Sequence, residues 1–210
     1  TYTSVLGDVS CHSLSDGSAE VIPTGGTGLY TYLWSGGPST SVNNLSLYAG
    51  LPAGTGYSVT ISDNTPCSET ATFTITEPAA LSEISSPTIV DAKCFGFSDG
   101  SATVDITGGM PFTAIGVTPY NYSWDTDPAT GVFGGSNASV TGLTAGDYTC
   151  TVTDSNSCEL IVYITINQPA QVVANLMLTA ASCNGVLDGS ASLVGSIIGG
   201  TTAAGPTGYT

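Results

Sequence analysis

Along most of this chain, apolar residues alternate one for one with threonine, serine and other polar residues. In residues 102–106, for example, every second residue is apolar: Ala102, Val104 and Ile106. Residues 148–152 alternate in the same way. Alternate side chains of a strand point to opposite faces, so this pattern predicts half-buried β-strands. No segment combines a helical period with helix caps. The sequence therefore predicts an all-β protein.

One nine-residue motif occurs three times. It reads CHSLSDGSA at Cys11–Ala19, CFGFSDGSA at Cys94–Ala102 and CNGVLDGSA at Cys183–Ala191, with spacings of 83 and 89 residues. Further pieces recur downstream in the same order: Thr-Gly-Gly from Thr24 and Thr107, Tyr-x-Tyr-x-Trp ending at Trp34 and Trp124, and a second cysteine at Cys67 and Cys158. Such internal similarity indicates a repeat architecture. It predicts two complete repeats, 1–79 and 80–170, and the N-terminal part of a third, 171–210.

The third repeat stops at Tyr209, the position of Tyr30 in the first repeat. Half a sandwich cannot close its own core. We therefore expect the natural chain to continue past Thr210. The alternative is a polymerising fibre subunit, in which another copy completes 171–210 by donor-strand exchange.

Six or seven short strands per repeat favour an immunoglobulin-like β-sandwich. The spacing Leu143-x-x-Gly146-x-Tyr148 is typical of a tyrosine corner, in which the ring is buried and its hydroxyl bonds the backbone upstream. The predicted structural core residues are Trp34, Trp124, Tyr57 and Tyr148. Short proline linkers at 77–80 and 168–171 predict repeats stacked end to end as a rod.

Each complete repeat has one cysteine before its Asp-Gly pair and a second one after the turn at Asp63 or Asp154. We therefore predict the disulfides Cys11–Cys67 and Cys94–Cys158, worth about 4 kcal/mol each in the chain-entropy model, in an oxidising compartment. Cys183 then needs a partner in the missing half of the third repeat. Cys150 occupies a core position and is interpreted as a buried free thiol. Sequence does not fix connectivity, so six reduced cysteines remain the alternative.

Charge narrows the range of partners. The 210 residues carry sixteen acidic side chains and one basic one, Lys93, for a net charge of −15. Binding to phosphate needs clustered Lys and Arg, so nucleic acid is excluded as a partner. No run of 18 apolar residues exists, which argues against membrane insertion.

Taken together, the recurring pieces resemble the SprB repeat over nearly all of 1–170 and the start of 171–210. The first repeat departs mildly from the pattern: His12 replaces a small apolar residue or Phe, and Ser13 replaces a glycine. The third repeat departs with Asn184. Proteins with this repeat are large surface adhesins of gliding bacteria, exported by the type IX pathway. The resemblance implies a secreted, extracellular, cell-surface location, a role in attachment or in a filament, and a link to gliding motility.

The recurring acidic residues are weighed as metal ligands. Asp in an Asp-Gly turn most often caps its own backbone. The functional alternative is a Ca²⁺ site with oxygen ligands. The candidates are Asp16, Asp99, Asp188, Asp63 and Asp154. No Asp-x-Asp-x-Asp loop supports them, and no other cofactor is predicted.

Catalysis is not expected. His12 is the single histidine and has no counterpart in the other repeats, and no nucleophile–histidine–acid motif surrounds it. The leading hypothesis is a structural or adhesive segment of a large secreted surface protein. Its partners would be neighbouring repeats, other copies in a filament, and an extracellular surface or glycan. A carbohydrate-binding or accessory module of a secreted enzyme is the second hypothesis.

Overall fold

The computed structural model describes residues 1–27, 29–36, 41–42, 46–65, 67–114, 118–125, 137–195 and 197–200. These residues form seventeen β-strands and no helix, which confirms the predicted all-β class. The strands are β1 (Tyr2–Gly7), β2 (Gly17–Pro23), β3 (Thr31–Ser35), β4 (Ser41–Val42), β5 (Leu47–Leu51), β6 (Gly54–Ser62), β7 (Ser68–Ile75), β8 (Ser82–Glu83), β9 (Thr88–Val90), β10 (Gly100–Thr103), β11 (Ile106–Thr107), β12 (Asn121–Trp124), β13 (Ser139–Leu143), β14 (Gly146–Thr153), β15 (Glu159–Ile166), β16 (Leu176–Thr179) and β17 (Ser190–Leu193). Within this described part, no helix is long and apolar enough to cross a membrane.

The chain forms two compact units, each built from several segments. The first comprises Thr1–Ile84, Ile106–Asn121 and Thr153–Leu160. The second comprises Ser85–Asp105, Tyr122–Val152 and Ile161–Thr210. The units are defined by contacts and do not coincide with the repeats, which are defined by sequence.

The first unit contains a sandwich of two antiparallel sheets. One sheet has the order β1-β2-β5 and the other β4-β3-β6-β7. With the strands lettered in chain order, these are strands A, B and E facing strands C′, C, F and G. That is the strand order of an immunoglobulin-like sandwich, as the sequence predicts.

The core of this sandwich comes from the alternating apolar positions. Its buried residues are Val9, Ala19, Val21, Tyr32, Trp34, Tyr48, Leu51, Tyr57, Val59, Ile61, Ala71 and Ile75. Trp34 is fully buried, and its ring centroid lies 5.4 Å from that of Tyr48 and 5.9 Å from that of Phe73. Burying a side chain of this size is worth about 3–5 kcal/mol relative to alanine. Trp34 is therefore a main anchor between the two sheets.

The strands of the second repeat have the corresponding order. The sheets are β9-β10-β13 and β12-β14-β15, with β8 and β11 forming a separate short pair. The buried positions again alternate along the strands, and they include Ala102, Val104, Trp124, Val140, Leu143, Tyr148, Cys150, Val152, Val162, Ile164 and Ile166. All four aromatic residues predicted as core, in both repeats, are at most 4% exposed.

The predicted tyrosine corner at Tyr148 is present, and Tyr57 forms a second one in the first repeat. The Tyr148 hydroxyl donates to the Thr144 carbonyl at 2.9 Å, and the Tyr57 hydroxyl donates to the Pro52 carbonyl at 2.8 Å. Each ring is buried while its one polar atom is satisfied by the backbone, which avoids the cost of an unpaired hydroxyl.

The Asp-Gly pairs do not form the turns that the sequence predicts at them. Gly17 and Gly100 are instead the buried first residues of β2 and β10, each beside a register shift. A Cβ on Gly17 would lie 2.6 Å from Ile75 and one on Gly100 2.8 Å from Ile166. Glycine is needed there because a side chain has no room, and the turn lies upstream, at the cysteine.

The segment that begins at residue 171 contains a pair of strands. β16 and β17 form an antiparallel pair from Leu176↔Leu193 to Thr179↔Ser190. Their apolar side chains remain exposed, with Leu178 at 73%. Tyr209, with which the repeat stops in the sequence, lies outside the described residues.

Candidate functional site

The first site element is the turn around Cys11, here called the cysteine turn and comprising Ser10–Asp16. The Leu14 N–H donates to the Cys11 carbonyl at 3.1 Å and closes the turn. The Asp16 carboxylate then accepts the Ser10 N–H at 3.0 Å and also the Ser10 hydroxyl. The carboxylate thus ties the beginning of the turn to its end.

The same turn is built twice more. At Cys94, the Phe97 N–H donates to the Cys94 carbonyl at 3.2 Å, and the Lys93 N–H donates to the Asp99 carboxylate at 3.0 Å. At Cys183 they are Val186 N–H to Cys183 carbonyl, 3.2 Å, and Ser182 N–H to Asp188, 2.9 Å. The recurring aspartates therefore cap their own turns, as short polar side chains commonly do.

Hydrogen bonding also sets the charge of these groups. The Ser10 hydroxyl, followed by the Ser10 N–H, lowers the pKa of Asp16, and Ser182 lowers the pKa of Asp188 in the same way. The hydroxyl and N–H of Thr65 lower the pKa of Asp63. All three are ionised acceptors at neutral pH, so their oxygens are engaged with the protein.

In each turn the residue two positions after the cysteine has a left-handed backbone. Ser13 has φ 64°, Gly96 76° and Gly185 86°. In the first two repeats the N–H of this residue donates to a side chain later in the chain. Ser13 donates to Glu77 and Gly96 donates to Gln168, each at 2.6 Å. A left-handed conformation strains any residue with a Cβ, so the first repeat carries strain that the other two avoid.

We expect Ser13→Gly to stabilise the protein by about 0.5–1 kcal/mol, because relief of the left-handed strain outweighs the entropy cost of glycine. Guanidinium unfolding measures the change. The matched control is Gly96→Ser, which should destabilise by about 1 kcal/mol, because a Cβ there meets no atom within 4 Å and only the backbone cost remains. Equal signs for the two variants would contradict the assignment.

The second site element is the turn from Asp154 to Cys158, here called the aspartate turn. Asp154 is only 2% exposed and is the one buried charged residue among those described. Its Oδ1 accepts the N–H of Asn156 and of Cys158, both at 2.9 Å. Its Oδ2 accepts the Met110 N–H at 2.7 Å. A buried carboxylate must be compensated in this way, and here backbone donors do it.

The Thr-Gly-Gly motif explains how Asp154 reaches Met110. Gly108 and Gly109 have φ 85° and 60°, and a Cβ on Gly109 would lie 2.5 Å from Oδ2 of Asp154. The Tyr120 hydroxyl donates to the Gly108 carbonyl at 2.8 Å. Burial, and next the charge of Asp154, raise the pKa of Tyr120. The glycine pair thus provides both the backbone conformation and the space that Asp154 needs.

The first repeat carries the same element in a more open form. Asp63 accepts the Thr65 N–H at 2.8 Å and the Thr27 N–H at 3.3 Å, and it is half-buried. The Tyr30 hydroxyl donates to the Gly25 carbonyl. The aspartate turn is therefore a second module common to both complete repeats.

The two modules meet in a disulfide within the first unit. Cys11 and Cys158 are bonded with S–S 2.03 Å and Cα–Cα 5.7 Å. The Asn156 side-chain amide donates to the Ser10 carbonyl at 2.8 Å and fixes the aspartate turn beside the cysteine turn. The bond closes a sequence separation of 147 residues.

This pairing corrects the predicted disulfides. Neither Cys11–Cys67 nor Cys94–Cys158 forms, because Cys158 lies at Cys11. Cys67 and Cys94 are exposed free thiols. The prediction paired cysteines within one repeat, whereas the polar contact between the turns of Cys11 and Cys158 joins two repeats.

Cys150 is a buried free thiol, as the alternation predicts. Burial raises its pKa to about 11, partly offset by the backbone of Ser123. Since the thiolate is the reactive form, this cysteine is chemically silent in the folded protein.

We expect native, unreduced protein to give three reactive thiols with a disulfide reagent at pH 8, from Cys67, Cys94 and Cys183. Cys150 should react only in denaturant, because roughly one thiol in a thousand is ionised at that pH and the side chain is buried. Cys150→Val should leave the native titre unchanged and lower the denatured titre from four to three. Only two thiols in denaturant would contradict the structure, since they would indicate a second disulfide.

The Ca²⁺ candidates do not converge among the described residues, where no three His, Cys, Asp or Glu side chains are placed to hold one metal ion. Asp16, Asp99 and Asp188 each bind their own cysteine turn. Asp63 and Asp154 each bind an aspartate turn. The oxygens weighed as metal ligands thus accept protein N–H groups.

His12 lies at the surface beside the cysteine turn. Its Nδ1 is 3.3 Å from Oε1 of Glu77, and its side chain is 47% exposed. An exposed pair of this kind contributes little to stability. His12 also lines a surface depression together with Leu14, Ala80, Gly109 and Ser157.

One family model matches two segments of the chain. The family model described as the SprB repeat matches residues 3–39 and 86–129. No curated protein matches the chain. These two segments contain the first two cysteine turns, their following strands and both core tryptophans.

Solved structures give only distant likenesses. The three N-terminal domains of the bacteriophage RB49 Highly Immunogenic Outer Capsid protein (Hoc) share 19% identity at TM-score 0.45, over 93% of this chain and 71% of that one. A crystal structure of Dpr11 IG1 bound to DIP-gamma IG+IG2 shares 13% identity at TM-score 0.28, over 80% of this chain and 98% of that one. The fold assignment rests on the strand order described above.

Proposed function

We propose that this chain, which carries SprB repeats at residues 3–39 and 86–129, is a non-catalytic segment of a large adhesin on the cell surface. The observation that carries the proposal is the recurrence of two complete structural modules, the cysteine turn and the aspartate turn, in successive repeats. Recurring modules of this kind build length from one supersecondary unit.

The recurring polar groups support a structural role. Asp16, Asp99 and Asp188 accept backbone N–H groups of their own turns, and Tyr57 and Tyr148 donate to backbone carbonyls. A repeated catalytic or sugar-binding site would instead direct recurring polar groups towards solvent. The segment is therefore proposed to space and stiffen the adhesin, with end-to-end repeats, while binding occurs elsewhere in the parent protein.

The disulfide supports a location outside the cytoplasm. Structural disulfides persist in oxidising compartments and are rare in reducing ones. The low charged fraction of 8% leaves little room for stabilising ion pairs, so a covalent link is well suited to this chain. Export by the type IX pathway, a filament and gliding motility are part of the same proposal.

Surface labelling tests this function. Antibodies raised against the 210-residue chain should label intact cells that make the parent protein as strongly as permeabilised ones, and their Fab fragments should leave attachment to glass unchanged, because binding lies elsewhere in the parent protein. Fab fragments against a cytoplasmic protein are the control. Labelling that appears only after permeabilisation would overturn the proposal.

The purified chain should also be incubated with an array of glycans. A spacer segment predicts no binding above that of the reduced and alkylated chain. Saturable binding to one class of glycan would replace the spacer role by that of a carbohydrate-binding module.

A further inference from the structure

The Cys11–Cys158 bond joins cysteines from different sequence repeats. Cys11 belongs to the cysteine turn of repeat 1–79, and Cys158 to the aspartate turn of repeat 80–170. Each complete repeat has one cysteine of each kind. The bond therefore leaves the cysteine turn of the second repeat and the aspartate turn of the first repeat without a disulfide. Their cysteines, Cys94 and Cys67, are both free and exposed.

Cys94 lies in a turn with the same backbone bonds as the turn of Cys11. Its turn is closed by the Phe97 N–H and tied by Asp99, and Gly96 is held by Gln168 as Ser13 is held by Glu77. The Lys93 carbonyl takes the sequence position of the Ser10 carbonyl, which accepts the Asn156 amide beside the disulfide. The acceptor and the thiol that receive an aspartate turn at Cys11 are thus both repeated at Cys94.

Cys67 presents the complementary half. The Asp63 N–H donates to the Cys67 carbonyl at 3.3 Å, and the Asp154 N–H donates to the Cys158 carbonyl at 3.1 Å. The aspartates bind the residues two positions on, Thr65 and Asn156, at 2.8 and 2.9 Å. Cys67 is therefore placed on its aspartate turn as Cys158 is.

We infer that the cysteine turn of each repeat forms a disulfide with the aspartate turn of the repeat that follows it. The occupant of the Cys94 surface is then the aspartate turn of a third repeat of the same type. In the complete repeats the second cysteine lies 56 and 64 residues after the first, so the partner in the repeat of Cys183 falls after residue 210. By the same rule, Cys67 receives the cysteine turn of a preceding repeat.

Each bond forms by oxidation of two thiols. The two sulfurs lose two protons and two electrons to a small-molecule disulfide such as oxidised glutathione, whose own S–S bond is reduced to two thiols. The result is a row of covalent links, one for each repeat boundary, in addition to the peptide linkers. The inference rests on the tandem-repeat part of the proposed function.

A chain with one more complete repeat tests the rule. It consists of residues 1–170 followed by a second copy of 80–170, which preserves the native Pro-Ala-Ala junction of residues 78–80. The second copy carries Cys94→Ser, so that Cys94 occurs once, and Ile161→Val as a mass tag at a side chain 49% exposed. The protein is refolded with oxidised glutathione, alkylated, digested without reduction and analysed by mass spectrometry.

The expected linked peptides are Cys11–Cys158 and Cys94 with the tagged Cys158 of the second copy. Cys158→Ser in the second copy alone should free Cys94 for alkylation and leave Cys11–Cys158 intact. A Cys94–Cys158 bond within one repeat, or alkylation of both Cys94 and the tagged Cys158, would overturn the inference. Absence of Cys11–Cys158 would also do so, because that bond is its premise. These outcomes do not depend on cell-surface labelling, so the two proposals fail separately.

Discussion

Cys158→Ser is expected to lower the free energy of unfolding by about 5 kcal/mol, because it opens the disulfide with Cys11. The bond spans 147 residues of sequence, and in the chain-entropy model a loop of this length strongly restricts the unfolded chain. The lost bond also frees the aspartate turn from the cysteine turn. Guanidinium unfolding followed by tryptophan fluorescence measures the change, since Trp34 and Trp124 are both buried.

Cysteine variants that differ in one bond provide the controls. Cys11→Ser should match Cys158→Ser, and the double variant should add nothing, because both remove one bond. Cys183→Ser and Cys67→Ser should change stability by less than about 0.5 kcal/mol, because both side chains are exposed free thiols. If Cys67→Ser is as damaging as Cys11→Ser, the result would contradict the Cys11–Cys158 bond and indicate a bond between Cys11 and Cys67 instead.

The fold is largely readable from the sequence because its signals are local. Alternation placed Val104 and Val152 on buried faces, and Leu-x-x-Gly-x-Tyr located the corner at Tyr148. Both depend on neighbours within a few residues, and strand geometry converts that spacing directly into a face.

The disulfide is different, because it depends on which turns meet. The sequence shows that Cys67 and Cys158 are equivalent and that Cys11 and Cys94 are equivalent. Equivalent cysteines satisfy intra-repeat and inter-repeat pairing equally well, so spacing favours neither. The deciding contact, the Asn156 amide on the Ser10 carbonyl, joins residues 146 apart and has no local signal.

Asp154 is an intermediate case. The sequence marks it as a turn residue, which it is, but gives no indication that it is buried. A signal was present in the second Thr-Gly-Gly motif, because two adjacent glycines often mark a backbone that must pass close to another group. Gly109 passes close to the carboxylate of Asp154 itself. The link between motif and partner still needed the fold, since Asp154 and Met110 are 44 residues apart.

Asp154→Ala is expected to destabilise the protein by about 3–5 kcal/mol. The change leaves three backbone N–H groups, those of Met110, Asn156 and Cys158, without the acceptor they share, and each unsatisfied buried donor costs about 1–3 kcal/mol. It also loosens the turn that carries the disulfide. Urea unfolding of the variant gives the loss directly.

Asp63→Ala is the matched control, because Asp63 makes the same kind of contacts in the first repeat but is half-buried, so water can replace the lost acceptor. Its cost should be about 1–2 kcal/mol. Asp154→Asn should fall between the two, because it keeps an acceptor for Asn156 and Cys158 but turns an N–H₂ group towards the Met110 N–H. Equal costs for Asp154→Ala and Asp63→Ala would show that burial of Asp154 is not what makes it important. The ordering Asp154→Ala, Asp154→Asn, Asp63→Ala instead follows from a desolvated carboxylate that organises the aspartate turn, and with it the cysteine that Cys11 binds.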